Sequence, residues 1–388
     1  MIKKLKQYDF KKYSVSILVI AIILGVIGAY MLKVIPGVLN AESRYIRQLT
    51  GIAFGVVFAI FVSLFDYHFI AKFYILMYLF NLVLLLMVKF TRFGIDVYGA
   101  KRWLGIENGF QFQPSELTKV IMIVVVAKLF DLLKERLNKL STIFIVGITM
   151  AIPTFLILIQ TDLSTSIVLF ACFVVMVFVS GYSMKIFGTI IAIAVPLVSG
   201  LFWYILRPNN LLIKYEIMKP YQQERIYSMI NPEDYPELIY QQQNATKAMS
   251  SGGLLGKLFT GDTGVRGTTY VPVVESDFIF TGIGEELGFI GAATVILLLT
   301  ALSVKCMLVA KNATDSMGKI IATGCSAIIM VQTFINIGVV SWILPNTGIP
   351  LPFVSSGLSS LVGSYTMLGL VLNISINSHK ETRRGYHE

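Results

Sequence analysis

The chain of 388 residues is short of charge: Asp, Glu, Lys and Arg make up 14% of it, where soluble domains carry roughly a quarter. That shortage excludes an ordinary water-soluble domain. Cysteine and histidine are scarce too, with three of each. Cys172, Cys306 and Cys325 lie far apart in apolar runs with no metal-ligand spacing, and read as small buried hydrophobes. His68, His379 and His387 all lie away from the main acidic stretch, which argues against a His-ligated zinc or a Ser-His-Asp triad there. No basic run with interleaved aromatics is present, so the net charge of +10 does not point to nucleic acid. Repeats of 20–50 residues and low-complexity tracts are also missing.

Apolar residues are plentiful, at 55% of the chain with a mean hydropathy of +0.74. The first apolar run, 14–35, is too long for a signal-peptide core and long enough to span a bilayer. Further runs predict helices at 45–65, 69–90, 114–133, 142–160, 164–181, 185–206, 286–310, 319–344 and 354–377. The expected fold is an all-α polytopic membrane protein of about ten transmembrane helices. It reads as one membrane domain, 1–388, with a large extracellular loop, 207–285, between helices 7 and 8. Lys and Arg crowd the segments that are cytoplasmic if the N-terminus is, among them Lys3, Lys4, Lys134, Arg136, Arg383 and Arg384. The short loops of opposite parity hold fewer. Both termini are therefore expected inside and the long loop outside.

Within that loop, the first half mixes charge with Tyr, Ile and Met and reads as amphipathic surface helices broken at Pro232 and Pro236. The second half is glycine-rich, as suits backbone that approaches a ligand closely.

Four polar clusters interrupt the apolar pattern. Val271–Gly291 carries Glu275, Asp277, Glu285 and Glu286 around Phe278-Ile279-Phe280. Acids where a loop re-enters a membrane are costly unless they face water, a partner or a substrate. The segment 99–119 holds Lys101, Arg102, Glu116 and Lys119, with Pro114 suited to a helix start. Glu116 and Lys119 share a helix face as either a structural ion pair or part of a cationic pocket for an anionic headgroup. Gln160, Asp162 and Thr165 mark a break at which Asp162 either caps the next helix or lines a cavity. In 346–360, two prolines and two glycines break the chain near Ser355 and Ser356. By parity all four clusters fall on the outer side, which predicts one cavity there.

These stretches, GAKRWLG and FQPSELTK at 99–119, QTDLSTS at 160–166, ESDFIFTGIGEELGFIG at 275–291 and TGIPLPFVSSGLSS at 347–360, resemble the signatures of the SEDS family (shape, elongation, division and sporulation). They stand in the family order over nearly the whole chain, and PLPFVSSG leans toward its RodA branch. The chain departs from the family pattern at Glu275-Ser276, where a His-Thr pair is usual, and at Thr161 and Ser164, which replace Pro and Gly. It departs again at Ser356-Gly357-Leu358, in place of Tyr-Gly-Gly.

The resemblance implies a peptidoglycan glycosyltransferase that polymerises lipid II on the outer face of the bacterial cytoplasmic membrane, beside a class B penicillin-binding protein. It implies that Asp277 is the essential aspartate and that Glu116 and Lys119 are the paired acid and base of the fourth span. Asp277 is expected to act as general base. Lys119 and then Arg102 are expected to steady the leaving pyrophosphate, with no required cofactor and Mg2+ or Mn2+ as an optional helper. Lys101, Gln160, Asp162, Glu285, Glu286, Ser355 and Ser356 complete the expected substrate-binding set. The rival readings are a lipid II flippase, which needs a polar path to the inner leaflet, and a non-catalytic scaffold.

Overall fold

The computed structural model describes residues 8–36, 38–97, 100–106, 111–183 and 220–377, with scattered positions between 185 and 207. The expected span 185–206 lies largely outside the described residues, as do 208–219, His379 and His387. Helices stand at every other expected position. They are α1 (Val15–Val34), α2 (Ala41–Ser63), α3 (Tyr74–Phe90), α4 (Pro114–Leu132), α5 (Leu140–Ile159) and α6 (Leu163–Val179). In the long loop come α7 (Pro220–Ile230) and α8 (Pro236–Ser251), followed by α9 (Ile279–Lys311), α10 (Ser316–Val340) and α11 (Leu358–Asn377). Six of these, α1, α2, α5, α9, α10 and α11, are long and apolar enough to cross a membrane, and α3 and α6 are shorter apolar helices. The chain is a polytopic helical membrane protein.

Residues suited to helix starts stand at several of these helices, Pro114 as the sequence predicts. Pro114 opens α4 and Pro236 opens α8, where a missing N–H costs nothing. Asp162 caps α6 by accepting from the Thr165 N–H at 3.1 Å, and Asp315 caps α10 through the Gly318 N–H at 3.1 Å.

Four expectations change. First, a small antiparallel sheet of order β1-β2-β3, Gly94–Val97, Ala100–Gly105 and Gln111–Phe112, fills the connection from α3 to α4. Its strands are too short to register against a search for spanning runs. Second, α9 begins at Ile279 rather than 286, because the helix is broken at Gly288 (φ 66°, ψ −168°) and its first turns belong to the polar stretch. The long loop accordingly ends at Phe278. Third, α11 begins at Leu358 rather than 354, because Ser355 and Ser356 spend their hydrogen bonds on the chain at 275–276. Fourth, the glycines of the loop approach α9 itself: a Cβ on Gly252 would lie 2.0 Å from Gly284 O, and one on Gly256 2.2 Å from Glu286 O. The loop carbonyls Gly253 O and Leu254 O accept from Phe289 N (2.9 Å) and Ile290 N (3.2 Å), the N–H groups that the break releases.

Helices in lipid gain little from apolar burial and associate through close packing. α2 lies so near α11 that a Cβ on Gly55 would meet the Tyr365 ring at 2.3 Å, and one on Gly51 would meet Leu358 at 2.8 Å. α8 lies over the end of α10, its Gln242 donating to Val339 O (2.9 Å) and Leu344 O (2.8 Å). Cys172, Cys306 and Cys325 are buried and free, as expected.

The connections α1–α2, α3–α4 and α5–α6 gather with the starts of α9 and α11 at one end of the bundle, the site end. At the far end, a clasp joins the α2–α3 and α9–α10 connections. His68 Nδ1 lies 2.8 Å from Asp66 Oδ1 and its Nε2 3.1 Å from Asp315 Oδ2, while the Tyr67 hydroxyl donates to Asp315. The bonds to Asp315 and then Asp66 raise the His68 pKa from 6.5 to about 9 against the opposing effect of burial. Burial pushes the Asp315 carboxyl up, but bonds from His68, Tyr67 and the Gly318 N–H outweigh it and leave it below its ordinary value.

The folded pKa of His68 exceeds its unfolded one, so this stabilisation is full below pH 6.5 and is lost as the pH rises through about 9. The ring is half exposed, with 48% of the side chain accessible, and water screening holds the contribution to about 1 kcal/mol. Thermal unfolding of detergent-solubilised protein should show a Tm falling between pH 6.5 and 9.5, and His68→Gln should flatten that slope.

Candidate active site

Asp277 sits in a run of turns immediately before α9, half-buried, and the surrounding chain fixes it from several sides. Three successive carbonyls of the turn are tied down. Glu275 O accepts from Ser356 N at 3.0 Å, Ser276 O from Ser355 Oγ at 2.6 Å, and Asp277 O from Asn336 Nδ2 at 2.8 Å. Asn336, buried in α10, also donates to Ile349 O at 2.7 Å, and so clips the turn to the irregular segment 341–357. The Asp277 carboxylate takes a hydrogen bond from Ser276 Oγ at 2.8 Å. Gly348 (φ 71°) faces it so closely that a Cβ there would lie 3.2 Å from Oδ2.

From Asp277 a chain of contacts reaches the other predicted clusters. Ser164 Oγ donates to Thr347 O, next to Gly348. Asp162, in the same turn as Ser164, accepts from Thr165 Oγ1 (2.9 Å), Gln113 Nε2 (3.5 Å) and Ser115 Oγ (3.5 Å). Ser115 precedes Glu116, whose carboxylate accepts from Lys119 Nζ at 2.8 Å with both side chains at most 4% exposed. A buried pair of this kind costs desolvation, so its ends must be held by good geometry. Arg102 NH2 donates to Thr161 O at 2.6 Å and ties the sheet to the Asp162 turn.

The structure links Asp277, Glu116, Lys119, Asp162, Arg102, Ser355 and Ser356 in one network at the site end and leaves others out of it. Lys101 is exposed, because neighbours on a strand point to opposite faces and Arg102 takes the inward one. Gln160 is buried and donates to Leu85 O at 2.9 Å, a tie between α5 and α3. Glu285 and Glu286 turn away into the loop. Glu285 accepts from Lys257 Nζ (2.6 Å), Gly267 N (2.7 Å) and Thr268 N (2.9 Å), and Glu286 from Arg266 Nε (2.8 Å).

Lys257, Arg266, Asn336, Gln48 and Arg44 escape a reading of the sequence. A lone Lys within GLLGKLF and a lone Asn within FINIGV were the available signals. Non-glycine residues with left-handed backbone among those described are Asn40, Thr161, Val273, Trp342 and Phe353, all at the site end, where strain of this kind tends to gather. At Thr161, φ is 63°, which a proline could not adopt. Among the described residues no three of His, Cys, Asp and Glu stand together as a metal site.

A helical membrane bundle with broken backbone and buried ion pairs gathered at one end is the architecture of a membrane protein that handles a polar group at a membrane surface. The family model described as "Cell cycle protein", for FtsW, RodA and SpoVE, matches residues 12–380, and the chain belongs to that family. It is 30% identical over 378 residues to a probable peptidoglycan glycosyltransferase FtsW of Trichlorobacter lovleyi, covering 95% of each chain. It is 33% identical over 307 residues to the peptidoglycan glycosyltransferase MrdB of Escherichia coli K12, covering 78% of each. A solved peptidoglycan synthase complex, described as coordinating polymerization and crosslinking, holds a chain of the same fold. The TM-score is 0.71 at 23% identity, over 96% of this chain and 99% of that one.

Two outcomes test the geometry. Gly348→Ala places a methyl against Asp277 and forces a left-handed alanine, so activity should fall at least about tenfold while the fold loses about 1–2 kcal/mol. Lys257→Ala strands the Glu285 carboxylate at 0% exposure, which should cost about 3–5 kcal/mol. Adding Glu285→Gln should recover much of that loss in a thermal melt.

Proposed function

We propose that the protein is a peptidoglycan glycosyltransferase that joins lipid II units into glycan strands and releases undecaprenyl pyrophosphate. The carrying observation is the placement of Asp277: a half-buried carboxylate on a turn fixed at three carbonyls, linked by contacts to the Glu116–Lys119 pair. The reaction needs a base for the sugar hydroxyl that attacks the anomeric carbon of the growing chain. A positioned carboxylate contributes about 10²–10⁴-fold to such a step, and Asp277 fills that role. The departing pyrophosphate develops negative charge. Lys119, oriented by Glu116, and Arg102 are the cations assigned to it. Mg2+ or Mn2+, if bound, would be held by Asp277 and would neutralise charge on the departing pyrophosphate.

The site end is assigned to the outer face of the bacterial cytoplasmic membrane and both termini to the cytoplasm, on the Lys/Arg distribution. A class B penicillin-binding protein is the assigned partner, with turnover requiring its binding. The flippase alternative needs a polar path across the membrane. The buried charged side chains described, Glu116, Lys119, Asp162, Lys257, Glu285 and Glu286, all lie at the site end, which favours the polymerase.

Purified Asp277→Asn protein, co-expressed with its transpeptidase partner, should polymerise labelled lipid II at least about 10²-fold more slowly than wild type, with an unchanged Tm. Strands formed at the wild-type rate would remove Asp277 from the mechanism. Lipid II translocation in vesicles with no strand formation would favour the flippase.

A further inference from the structure

The ties on the Asp277 turn described so far come from α10 and the irregular segment after it. A further tie comes from the other half of the molecule. Arg44, in the first turn of α2, places NH2 3.0 Å from Glu275 Oε1, two residues before Asp277. Its Nε donates to Leu39 O at 2.9 Å, which fixes the guanidinium plane. One turn along the same face, Gln48 Nε2 donates to Ser355 O at 3.2 Å. Two further residues of that face, Gly51 and Gly55, are where α2 packs closest on α11, a Cβ on Gly55 falling 2.3 Å from the Tyr365 ring. The face Arg44, Gln48, Gly51, Gly55 follows the i, i+4, i+7, i+11 spacing of one helix stripe. α2 therefore cannot slide along its axis without a clash at Tyr365, and its first turn is a fixed post for Glu275.

We propose that Arg44 and Glu275 form a positioning pair for Asp277, holding the start of its turn to α2 and so setting where the carboxylate stands. The proposal rests on the glycosyltransferase reading. Arg44 is 36% and Glu275 12% exposed at the side chain. A partly exposed pair of this kind adds little to stability. A displacement of about 1 Å at a reacting group, by contrast, can cost about 10²-fold in rate. Position and stability are therefore separable in experiment.

The test compares wild type, Glu275→Gln, Arg44→Gln and the exchange Arg44→Glu with Glu275→Arg, all purified with the transpeptidase partner. Each single variant should lower kcat for lipid II polymerisation about 10–100-fold, with KM within threefold and Tm within about 1 °C. The exchanged pair should recover most of the lost rate. Wild-type kcat in the single variants would overturn the proposal, as would a rise in KM alone, which would make Arg44 a substrate contact. So would rate losses that track losses in Tm, or an exchanged pair no better than the singles. Hydrogen exchange of the 272–279 segment reads the same tie without turnover. It should quicken at least tenfold in the single variants while the rest of α9 is unchanged, and unchanged exchange would overturn the positioning role. An inactive wild type whose 272–279 segment still responds to Arg44→Gln would sink the glycosyltransferase reading and leave the tie standing.

Discussion

Backbone that leaves helical pairing inside a membrane finds no water to replace its lost hydrogen bonds, and the architecture of this chain follows from that constraint. It breaks at Gly288, at the Asp277 turn and along 341–357. Each break is repaired from another part of the chain: Gly253 and Leu254 at the first, Ser355, Ser356 and Asn336 at the second, Gln48 and Ser355 at the third. The repairs join distant segments, so the irregular parts of the molecule are as firmly specified as its helices. A carboxylate placed on such a turn is held in position without a rigid element of its own.

Charge obeys a related rule. An ionised group withdrawn from water survives only if it is paired and hydrogen-bonded. Glu116 has Lys119 and Glu286 has Arg266, while Glu285 has Lys257 together with two backbone N–H groups. The last two pairs stitch the loop to α9, whereas the first stands beside the Asp162 turn. Similar-looking acids thus divide into those that build the site end through ion pairs and Asp277, whose carboxylate accepts from the Ser276 hydroxyl on the turn itself.

Much of this was legible in the sequence. Apolar runs of spanning length gave the helices, and Pro114 and Asp162 marked their starts. Asp277, Glu116 and Lys119 stood out because charge is costly in such surroundings. What was not legible depends on tertiary pairing. Glu285 and Glu286 look like Asp277 in the sequence, and only the arrival of Lys257 and Arg266 from the loop distinguishes them. Asn336 is one polar residue in an apolar helix and alters no periodicity. The sheet at 94–112 was hidden because its strands are a few residues long. Gly288 was one glycine among several, and only its left-handed φ marks it as the break.

The seam at Gly288 is written in main-chain atoms alone. Leu254 and Leu255 point outward, 63% and 51% exposed, so their identities can drift over evolutionary time without opening it. A change of length is different. One residue gained or lost between Gly253 and Gly256 would move a carbonyl off Phe289 or Ile290, and no side chain could replace it. In a lineage of such proteins the two residues at 254 and 255 would vary freely in spelling, while the glycines beside them and the letter count would hardly change.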